Sequence, residues 1–423
     1  MNAPSTADSP QGVVSGDVRY LQWFVFGLFF IFGGITSLND VLIPKLKELY
    51  DLNYFEAMLI QTAFFAAYFI VALPAAALVQ RIGYMRGAVV GLLIMLVGCL
   101  LFIPAARSGL FPTFLGALFV LAAGVTLVQV VANPLISMLG DPRSSHSRLT
   151  FAQAFNSLGT TVFPFVGAAM ILGALATADP TEMAGPALIA YRAAESAVIT
   201  NAYLGIAGAL AVVALVVWLN RARLVEAPAE RTSILRAFEL LKRPRFAFGA
   251  LCIFVYVGAE VAIASLMVNY LMQADVLGQS AETAGKLLIF YWGGALVGRF
   301  IGAAVLRAVP AWKALAFVAV CAIILIGLSV VTTGPVAGIA LLAVGLFNAI
   351  MFPGIFTLAC EGLGKRAAEG SGIICMAIVG GAIVPPLAGM IADASTLRVA
   401  LAAPVACYLI IALFGRYCRK PLV

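Results

Sequence analysis

Apolar residues occur in long blocks along this chain, and short polar breaks separate the blocks. A block of about 20 apolar residues is what an α-helix needs to cross the hydrocarbon core of a bilayer. The strands of an outer-membrane barrel are only about 10 residues long and alternate in polarity, so the blocks favour helices. We predict twelve spans, at roughly 21–43, 55–80, 87–105, 111–139, 149–175, 199–220, 246–272, 284–306, 313–332, 335–360, 371–392 and 399–416.

The longest polar break, residues 221–245, divides the chain into two halves whose sequences repeat. Three patterns recur at nearly one offset, between 219 and 222 residues. Such repetition predicts two similar units, and six helices followed by six in parallel orientation is the layout of a two-bundle secondary transporter. The matches are Phe24-x-Phe26-Gly27-x3-Ile31-Phe32 with Phe246-x-Phe248-Gly249-x3-Ile253-Phe254, Gln129-x4-Pro134 with Asn348-x4-Pro353, and Gly159-x4-Pro164 with Gly380-x4-Pro385.

The fold class that these patterns predict is an all-α polytopic membrane protein with twelve transmembrane helices in two pseudo-symmetric six-helix bundles. We expect an N-terminal bundle at 20–220 and a C-terminal bundle at 246–418. Residues 1–19 are rich in Pro, Ser and Gly and predict a disordered cytoplasmic tail. The cytoplasmic linker, 221–245, is expected to carry a short amphipathic helix, Ser233–Leu241, on the inner leaflet.

The positions of the basic residues predict the orientation of the bundles. With both termini in the cytoplasm, nineteen Lys and Arg residues fall on the inner side and six on the outer side. Cytoplasmic loops carry such an excess of basic residues. We therefore expect a multi-pass protein of the bacterial inner (cytoplasmic) membrane with both termini in the cytoplasm.

Composition excludes most other classes of protein. The 423 residues are 63% hydrophobic and 11% charged, unlike any soluble domain of this size. Seven cysteines form no CxxC pair and there is one histidine, so neither a disulfide framework nor a metal centre is indicated. We find no nucleophile–base pair and no nucleotide loop, and we expect neither an enzyme nor a nucleic-acid partner.

Two carboxylates lie within the predicted spans. Asp40 stands near the end of the first span, where an acid is costly and usually faces a water-filled interior. Glu260 stands in the seventh span among apolar residues, where water, a cation or the substrate would be its partner. Both are candidates for cation coupling, although Asp40 alternatively caps its helix at the outer headgroups. No metal is expected, unless Asp40 binds Na⁺.

Amides and aromatic rings are the other polar groups of the spans, and together they suit a neutral polyol. An amide offers a donor and an acceptor at once, and a ring can stack on the apolar face of a sugar. A single buried amide alternatively joins two helices, and Tyr291 with Trp292 alternatively forms an interfacial anchor. The substrate-binding candidates are Asn39, Gln61, Gln129, Gln153, Asn156, Glu260, Asn269, Trp292 and Asn348.

Three arginines complete the set of candidate residues. Arg81 and Arg86 flank the short break between the second and third spans, where they could latch an inner gate. Arg299 is expected near the inner end of the eighth span in a structural role.

Several stretches resemble the bacterial glucose/galactose transporter family of the major facilitator superfamily, which is related to the L-fucose/proton symporter. The resemblance runs from about residue 24 to 415. It implies the major facilitator fold and a symporter that moves a monosaccharide by alternating access, with H⁺ or Na⁺ and no other cofactor. The stretches include LNDVLIPKLKELYDL, LIQTAFFAAYF, VANPLISMLG, SRLTFAQAFNSLGTT, YVGAEVAIASLMVNYL, YWGGALVGRFIGA and MFPGIFTLACEGLG.

The resemblance also implies roles for particular residues. Asp40 matches the acid that the fucose symporter uses for proton coupling, and Gln153 and Asn156 match its sugar-contact region. The second essential acid of that symporter is replaced here by Gln129, which cannot take up a proton. Coupling would then rest on Asp40, with Glu260 standing where the fucose symporter has an amide.

Other functions stay open at this stage. The substrate is expected to be glucose or galactose, with fucose, mannose or an N-acetylated hexosamine as alternatives. An exporter of sugars or small molecules is a second possibility, and a sugar sensor that does not transport is a third. We expect a monomer whose partners are the sugar and the lipid bilayer.

Overall fold

The computed structural model describes residues 13–14, 18–50, 54–108, 110–167, 185–221, 225–226 and 234–420. Within these ranges it leaves aside the side chains of 13–14, 18–19, 38–50, 54–58, 61, 142, 164–167, 186–196, 198–199, 225–226, 234–235, 281–282 and 365.

The first half of the chain forms six long helices. They are α1 (Val18–Tyr50), α2 (Tyr54–Ile82), α3 (Tyr84–Ser108), α4 (Phe111–Met138), α5 (Ser145–Gly167) and α6 (Pro186–Leu219), with a 3-10 turn at Pro142–Ser144 before α5. Pro74 and Pro134 lie inside α2 and α4 without dividing them.

The second half forms shorter pieces, because three of its predicted spans are broken. Its helices are α8 (Pro244–Met272), α9 (Ala281–Val305), α10 (Ala311–Val331), α11 (Gly334–Asn348), α12 (Met351–Cys360), α13 (Ala367–Ala377), α14 (Gly380–Ala394), α15 (Leu397–Ala400) and α16 (Ala402–Tyr417). One of these breaks comes directly after Asn348, between α11 and α12. The ring of Pro353 interferes with the carbonyl groups of the preceding helical turn, and the break falls there.

Eleven segments within the described residues are long and apolar enough to cross a membrane. The span predicted at 149–175 is not among them, and it lies partly outside the described residues, which end at Gly167 in this helix. The prediction of an all-α membrane protein of two six-helix bundles is confirmed.

The same helix crossing occurs in both bundles, and a glycine permits it each time. In the first bundle α1 packs on α5, and a Cβ on Gly159 would collide with the carbonyl oxygen of Phe30. In the second, α8 packs on α14, and a Cβ on Gly380 would collide with the carbonyl oxygen of Phe254. The predicted repeat therefore exists in three dimensions.

The two bundles meet along α2 with α13 and along α5 with α9. We name the end of the bundles where residues 221–243 join them the linker end. Hydrogen bonds between the bundles close this end: Gln80 Nε2 donates to Glu369 Oε1 at 2.8 Å, Ser147 Oγ donates to the Ala303 carbonyl at 2.6 Å, and His146 bonds Thr357. The structure is thus closed at the linker end.

The linker holds the short helix α7 (Ile234–Ala237) and a 3-10 segment, Phe238–Lys242, where the amphipathic helix was predicted. Arg366 binds this segment, donating to the Arg236 carbonyl at 2.7 Å. Further upstream, β2 (Val225–Glu226) pairs antiparallel with β1 (Val13–Val14). The rest of the predicted tail before Val18 lies outside the described residues.

Candidate functional site

An amide and a tyrosine form the centre of the first bundle. Gln129, on α4, donates from Nε2 to the hydroxyl of Tyr68 on α2 at 2.8 Å. That hydroxyl also lies beside Thr36 on α1. Tyr68 is buried, whereas Gln129 is only half-buried. The three residues tie α1, α2 and α4 together and leave part of one amide accessible.

The second bundle carries the same unit with more partners. Asn348, at the end of α11, donates from Nδ2 to the hydroxyl of Tyr291 on α9 at 2.8 Å. Tyr291 donates in turn to the Glu260 carbonyl on α8 at 3.2 Å. The Asn348 side-chain oxygen accepts from Tyr408 on α16 at 2.7 Å. Asn348 is fully buried, and its amide is satisfied at both ends.

These two units are related by the internal repeat. Tyr68 and Tyr291 differ by 223 positions, Gln129 and Asn348 by 219, and Thr36 and Glu260 by 224. The last offset is two residues larger than that of the Phe-Gly pattern at the start of α1 and α8. The packing has this larger offset too, since Phe30 in the first crossing corresponds to Phe254 in the second, and in that register Glu260 stands where the first bundle has Thr36, with Asp40 one helical turn later.

The Glu260 carboxylate lies beside a third tyrosine. The hydroxyl of Tyr256 donates to Glu260 Oε1 at 2.8 Å and lies 3.1 Å from the Asn348 carbonyl oxygen. Tyr256 and Tyr291 are buried, and Glu260 is partly buried. A carboxylate that is held by a hydroxyl in such a place suits a sugar hydroxyl or a cation as its further partner.

The α5 helix brings two predicted residues to the boundary between the bundles. Asn156 lies against α1, where Gly33 leaves room for it, and donates to the Phe29 carbonyl at 3.4 Å. Gln153 is buried, and its carbonyl oxygen accepts from Arg299 of the other bundle at 3.1 Å. Arg299, expected in a structural role near the inner end of its span, thus bridges to α5 of the other bundle.

One polar residue of α4 stands apart. Asn133 shares a face with Gln129, one turn away. It is fully buried, and neither atom of its amide has a hydrogen-bond partner within the part of the chain described. Leaving such a group unpaired costs about 1–3 kcal/mol.

Several residues predicted for the site are not brought to the two amide–tyrosine units by the described structure. Asn269 is exposed and lies nine residues after Glu260, which places it on the opposite face of α8, two and a half turns away. Trp292 is exposed and contacts the buried ring of Tyr291 edge-on at 5.1 Å. Asn39 and Asp40 lie in α1 and Gln61 in α2, but their side chains are outside the described residues.

Closure of the linker end uses residues that the sequence did not single out. Arg81 and Arg86 are exposed there, whereas the neighbouring Gln80 makes the contact to Glu369 across the bundles. Glu369 is buried and paired with Arg366 at 2.6 Å. In the sequence Glu369 precedes the predicted eleventh span and follows two basic residues, a position typical of a charged residue in a loop.

No cluster of three or more His, Cys, Asp or Glu residues that could hold a metal ion occurs in the described ranges. The seven cysteines, all of them described, are unpaired, and five are buried.

Comparison with known proteins agrees with this architecture. Residues 24–378 match the family model of the Major Facilitator Superfamily. The chain is 49% identical over 388 residues to the glucose/galactose transporter of Brucella abortus (biovar 1, strain 9-941), covering 92% of this chain and 91% of that protein.

It is also 32% identical over 399 residues to the L-fucose-proton symporter of Escherichia coli, covering 92% and 91% of the two chains. A crystal structure of the transporter FucP in the outward conformation superposes with a TM-score of 0.86 at 30% identity, covering 96% of this chain and all of that one. The chain therefore belongs to the Major Facilitator Superfamily, and within it to the family of the bacterial glucose/galactose transporters.

Proposed function

We propose that the protein is a symporter that imports a monosaccharide, glucose or galactose, together with a cation, H⁺ or Na⁺. The observation that carries this proposal is the pair of amide–tyrosine units, one on either side of the boundary between the bundles. Amides and hydroxyls offer donors and acceptors together, as the hydroxyls around a sugar ring do. The names of the relatives in Brucella abortus and Escherichia coli support a sugar as the substrate.

The first bundle supplies the accessible contacts in this proposal. Gln129 and Asn156 are half-buried, and each has hydrogen-bonding capacity beyond the one bond it makes. Gln153 lies one turn before Asn156 on the same helix. Sugar hydroxyls would complete the bonding of these amides.

The second bundle supplies a rigid wall. Asn348 is held between two tyrosines, and Glu260 is held by Tyr256. A site that is ordered before binding loses little conformational entropy when the sugar enters. In this proposal the Glu260 carboxylate accepts from a sugar hydroxyl.

Asp40 is the coupling acid in this mechanism. It follows Thr36, which contacts Tyr68, by one turn of α1. An ionised acid opposes closure of the bundles around it, because a charge without a partner is costly in a low-dielectric interior. A bound cation removes that cost, so the bundles rock once cation and sugar are both bound and Asp40 is neutralised.

The closed linker end defines the state of the structure in this cycle. Gln80, Ser147 and His146 of the first bundle bond residues of the second. With nineteen basic residues on its side against six, the linker end would face the cytoplasm of a bacterial inner membrane. The structure then represents the outward-facing state, with bundles at 20–220 and 246–418, and the protein works as a monomer.

Uptake of radiolabelled glucose and galactose into proteoliposomes tests this function. A sodium gradient and a proton gradient are imposed separately, each with and without an uncoupler, and fucose, mannose and N-acetylglucosamine serve as competitors. We expect uphill accumulation of glucose or galactose with one of the two gradients. Binding without any flux would favour a sensor, and flux that only lowers internal sugar would favour an exporter.

A further inference from the structure

Two polar side chains of the first bundle are buried between the proposed sugar site and the closed linker end. Asn133 follows Gln129 by one turn of α4, and Thr150 lies on α5 between Gln153 and Ser147, which bonds the second bundle at the linker end. Both side chains are fully buried. Within the described ranges, the amide of Asn133 and the hydroxyl of Thr150 have no hydrogen-bond partner.

The second bundle contributes a third group of this kind. Ser371, on α13, comes two residues after Glu369, which bonds Gln80 at the linker end. Its side chain is fully buried, and its hydroxyl has no hydrogen-bond partner in the part of the chain described. The thiol of Cys375 lies beside it, but a thiol is a weak donor and a weak acceptor.

These groups lie on helices that meet across the boundary between the bundles. The Thr150 Cγ2 lies 3.7 Å from the position that a Cβ on Gly302 of α9 would take. Gly372, the neighbour of Ser371, lies so close to α2 that an added Cβ would be 2.7 Å from the Cβ of Ala76. Helix α4, which carries Asn133, packs on α13. Separation of the bundles at the linker end would therefore uncover these groups.

The closed and open states of the linker end differ in what they offer such groups. A dry and unpaired amide or hydroxyl has lost its bonds to water and gained none, so it destabilises the closed state. Buried polar groups in proteins are nearly always paired, and an exception calls for an explanation. An amide and two hydroxyls each donate and accept, as the hydroxyls of a neutral polyol do.

We propose that Asn133, Thr150 and Ser371 form a second sugar site, the exit site, which becomes available when the linker end opens. The inference rests on the proposed symport. In the outward-facing state the three groups are dry, and in the inward-facing state they bond the hydroxyls of a sugar that leaves Gln129 and Gln153. The exit site then sets the affinity for sugar on the linker side and not on the opposite side.

The half-saturating sugar concentration on each side separates this role from a merely structural one. Uptake of labelled glucose is measured in vesicles whose linker end faces the medium and in vesicles of the opposite orientation. Asn133→Leu and Thr150→Val keep the shape and remove the polar groups. We expect the half-saturating concentration from the linker side to rise about tenfold with kcat/KM nearly unchanged, and that from the opposite side not to rise.

Thr126→Val is the matched control for Thr150→Val. Thr126 is also fully buried in the first bundle, but its hydroxyl donates to the Ala122 carbonyl at 2.8 Å. It should leave the ratio of the two half-saturating concentrations as in the wild type. A rise equal to that in Thr150→Val would show that loss of any buried hydroxyl has this effect, and it would overturn the inference.

Thiol labelling locates the sugar directly and keeps the proposal testable if Asn133→Leu does not fold. A charged thiosulfonate reagent is applied from the linker side to Thr150→Cys and to Ala303→Cys, which lies beside Gly302 at the same boundary, with the wild type as background for the native cysteines. Glucose at about ten times its dissociation constant should slow labelling of Thr150→Cys about tenfold. Protection of Ala303→Cys should be smaller, because that thiol reports only closure of the boundary.

The outcomes that overturn the inference are distinct from those that overturn sugar symport. Equal protection of the two thiols would show that sugar closes the boundary without occupying it. Half-saturating concentrations that change equally on both sides, or not at all, would leave the three groups as sites of structural water only. Wild-type vesicles without sugar flux under any gradient would instead refute the proposed function itself.

Discussion

In the first bundle the amide of Gln129 bonds one tyrosine and stays partly accessible, whereas in the second the matching Asn348 is buried between two tyrosines. The first bundle has Thr36 where the second has Glu260, and its own acid, Asp40, comes one turn later. The helix crossing that positions these residues is the same in both, with Gly159 and Gly380 in equivalent places.

The difference shows how a repeated scaffold can divide one task. The bonds that fix the helices are kept in both halves, because an amide–tyrosine pair in a dry interior is costly to break. What varies is the number of polar groups left for a ligand. An incompletely bonded first bundle is suited to capture the sugar and the cation, and a saturated second bundle is suited to receive them without rearranging.

The largest effect should come from Asp40→Asn, which removes the charge that the cation neutralises. We expect uphill accumulation to be lost, by about a hundredfold or more, while counterflow exchange of sugar persists, because the neutral amide lets loaded bundles close. Accumulation and counterflow are measured side by side in proteoliposomes.

Asp393→Asn is the matched control, since Asp393 is an exposed acid near the end of α14. It should accumulate sugar like the wild type. Intact accumulation by Asp40→Asn would exclude Asp40 as the coupling acid.

Substituting the crossing glycines tests whether the two bundles share one packing rule. Gly159→Ala and Gly380→Ala each drive a methyl group into a backbone carbonyl, which cannot move as a side chain can. We expect each to lower stability by about 3 kcal/mol or more, at the upper end of what overpacking costs. Thermal unfolding in detergent measures the loss.

Gly205→Ala is the control, since a methyl group added there has no neighbouring atom within 4 Å. A marked difference between Gly159→Ala and Gly380→Ala would contradict the structural equivalence of the two crossings.

Removing the two repeat-related amides should separate stability from binding. Asn348→Ala leaves the Tyr408 hydroxyl without its acceptor, at about 1–3 kcal/mol, and removes one of the two bonds of the Tyr291 hydroxyl, so we expect a large loss of thermal stability. Gln129→Ala breaks one bond at a half-buried position and should cost about 1 kcal/mol of stability. Its sugar affinity should nevertheless fall about tenfold.

Unfolding midpoints and sugar affinity are measured on the same preparations of both variants. Equal losses of stability would show that the second bundle is no more rigidly bonded than the first.

The smallest effect is expected for Asn269→Ala. Asn269 is exposed on the face of α8 opposite to Glu260, so its loss should change the KM for sugar less than about twofold. A tenfold rise in KM would place Asn269 at the binding site and require a different arrangement of α8.

Much of this architecture can be predicted from the sequence, because its main signals are local. Apolar blocks indicate the spans, and the repeat of Gln129 and Pro134 as Asn348 and Pro353 relates the two bundles. The roles of the tyrosines could not be predicted in this way. Tyr68, Tyr256 and Tyr408 look like ordinary apolar residues of a span, and only the three-dimensional packing shows that their hydroxyls meet amides and an acid.

Contacts between the bundles are equally hidden in the sequence. Arg299 lies 142 residues from Ser157, and Glu369 lies 289 residues from Gln80. No spacing rule joins residues at such separations. For the same reason the sequence points to Arg81 and Arg86 as gate residues, whereas the contact across the bundles falls on their neighbour Gln80.

Sugar affinity with and without the coupling cation, measured by calorimetry on the wild type and on Asp40→Asn, tests the central claim most directly. In the proposed mechanism the cation and the sugar favour the same state, and because coupling between two ligands is reciprocal, a cation held at Asp40 tightens sugar binding. We predict that the cation raises sugar affinity about tenfold in the wild type and leaves it unchanged in Asp40→Asn. An equal increase in both proteins would contradict the account and place the coupling site elsewhere.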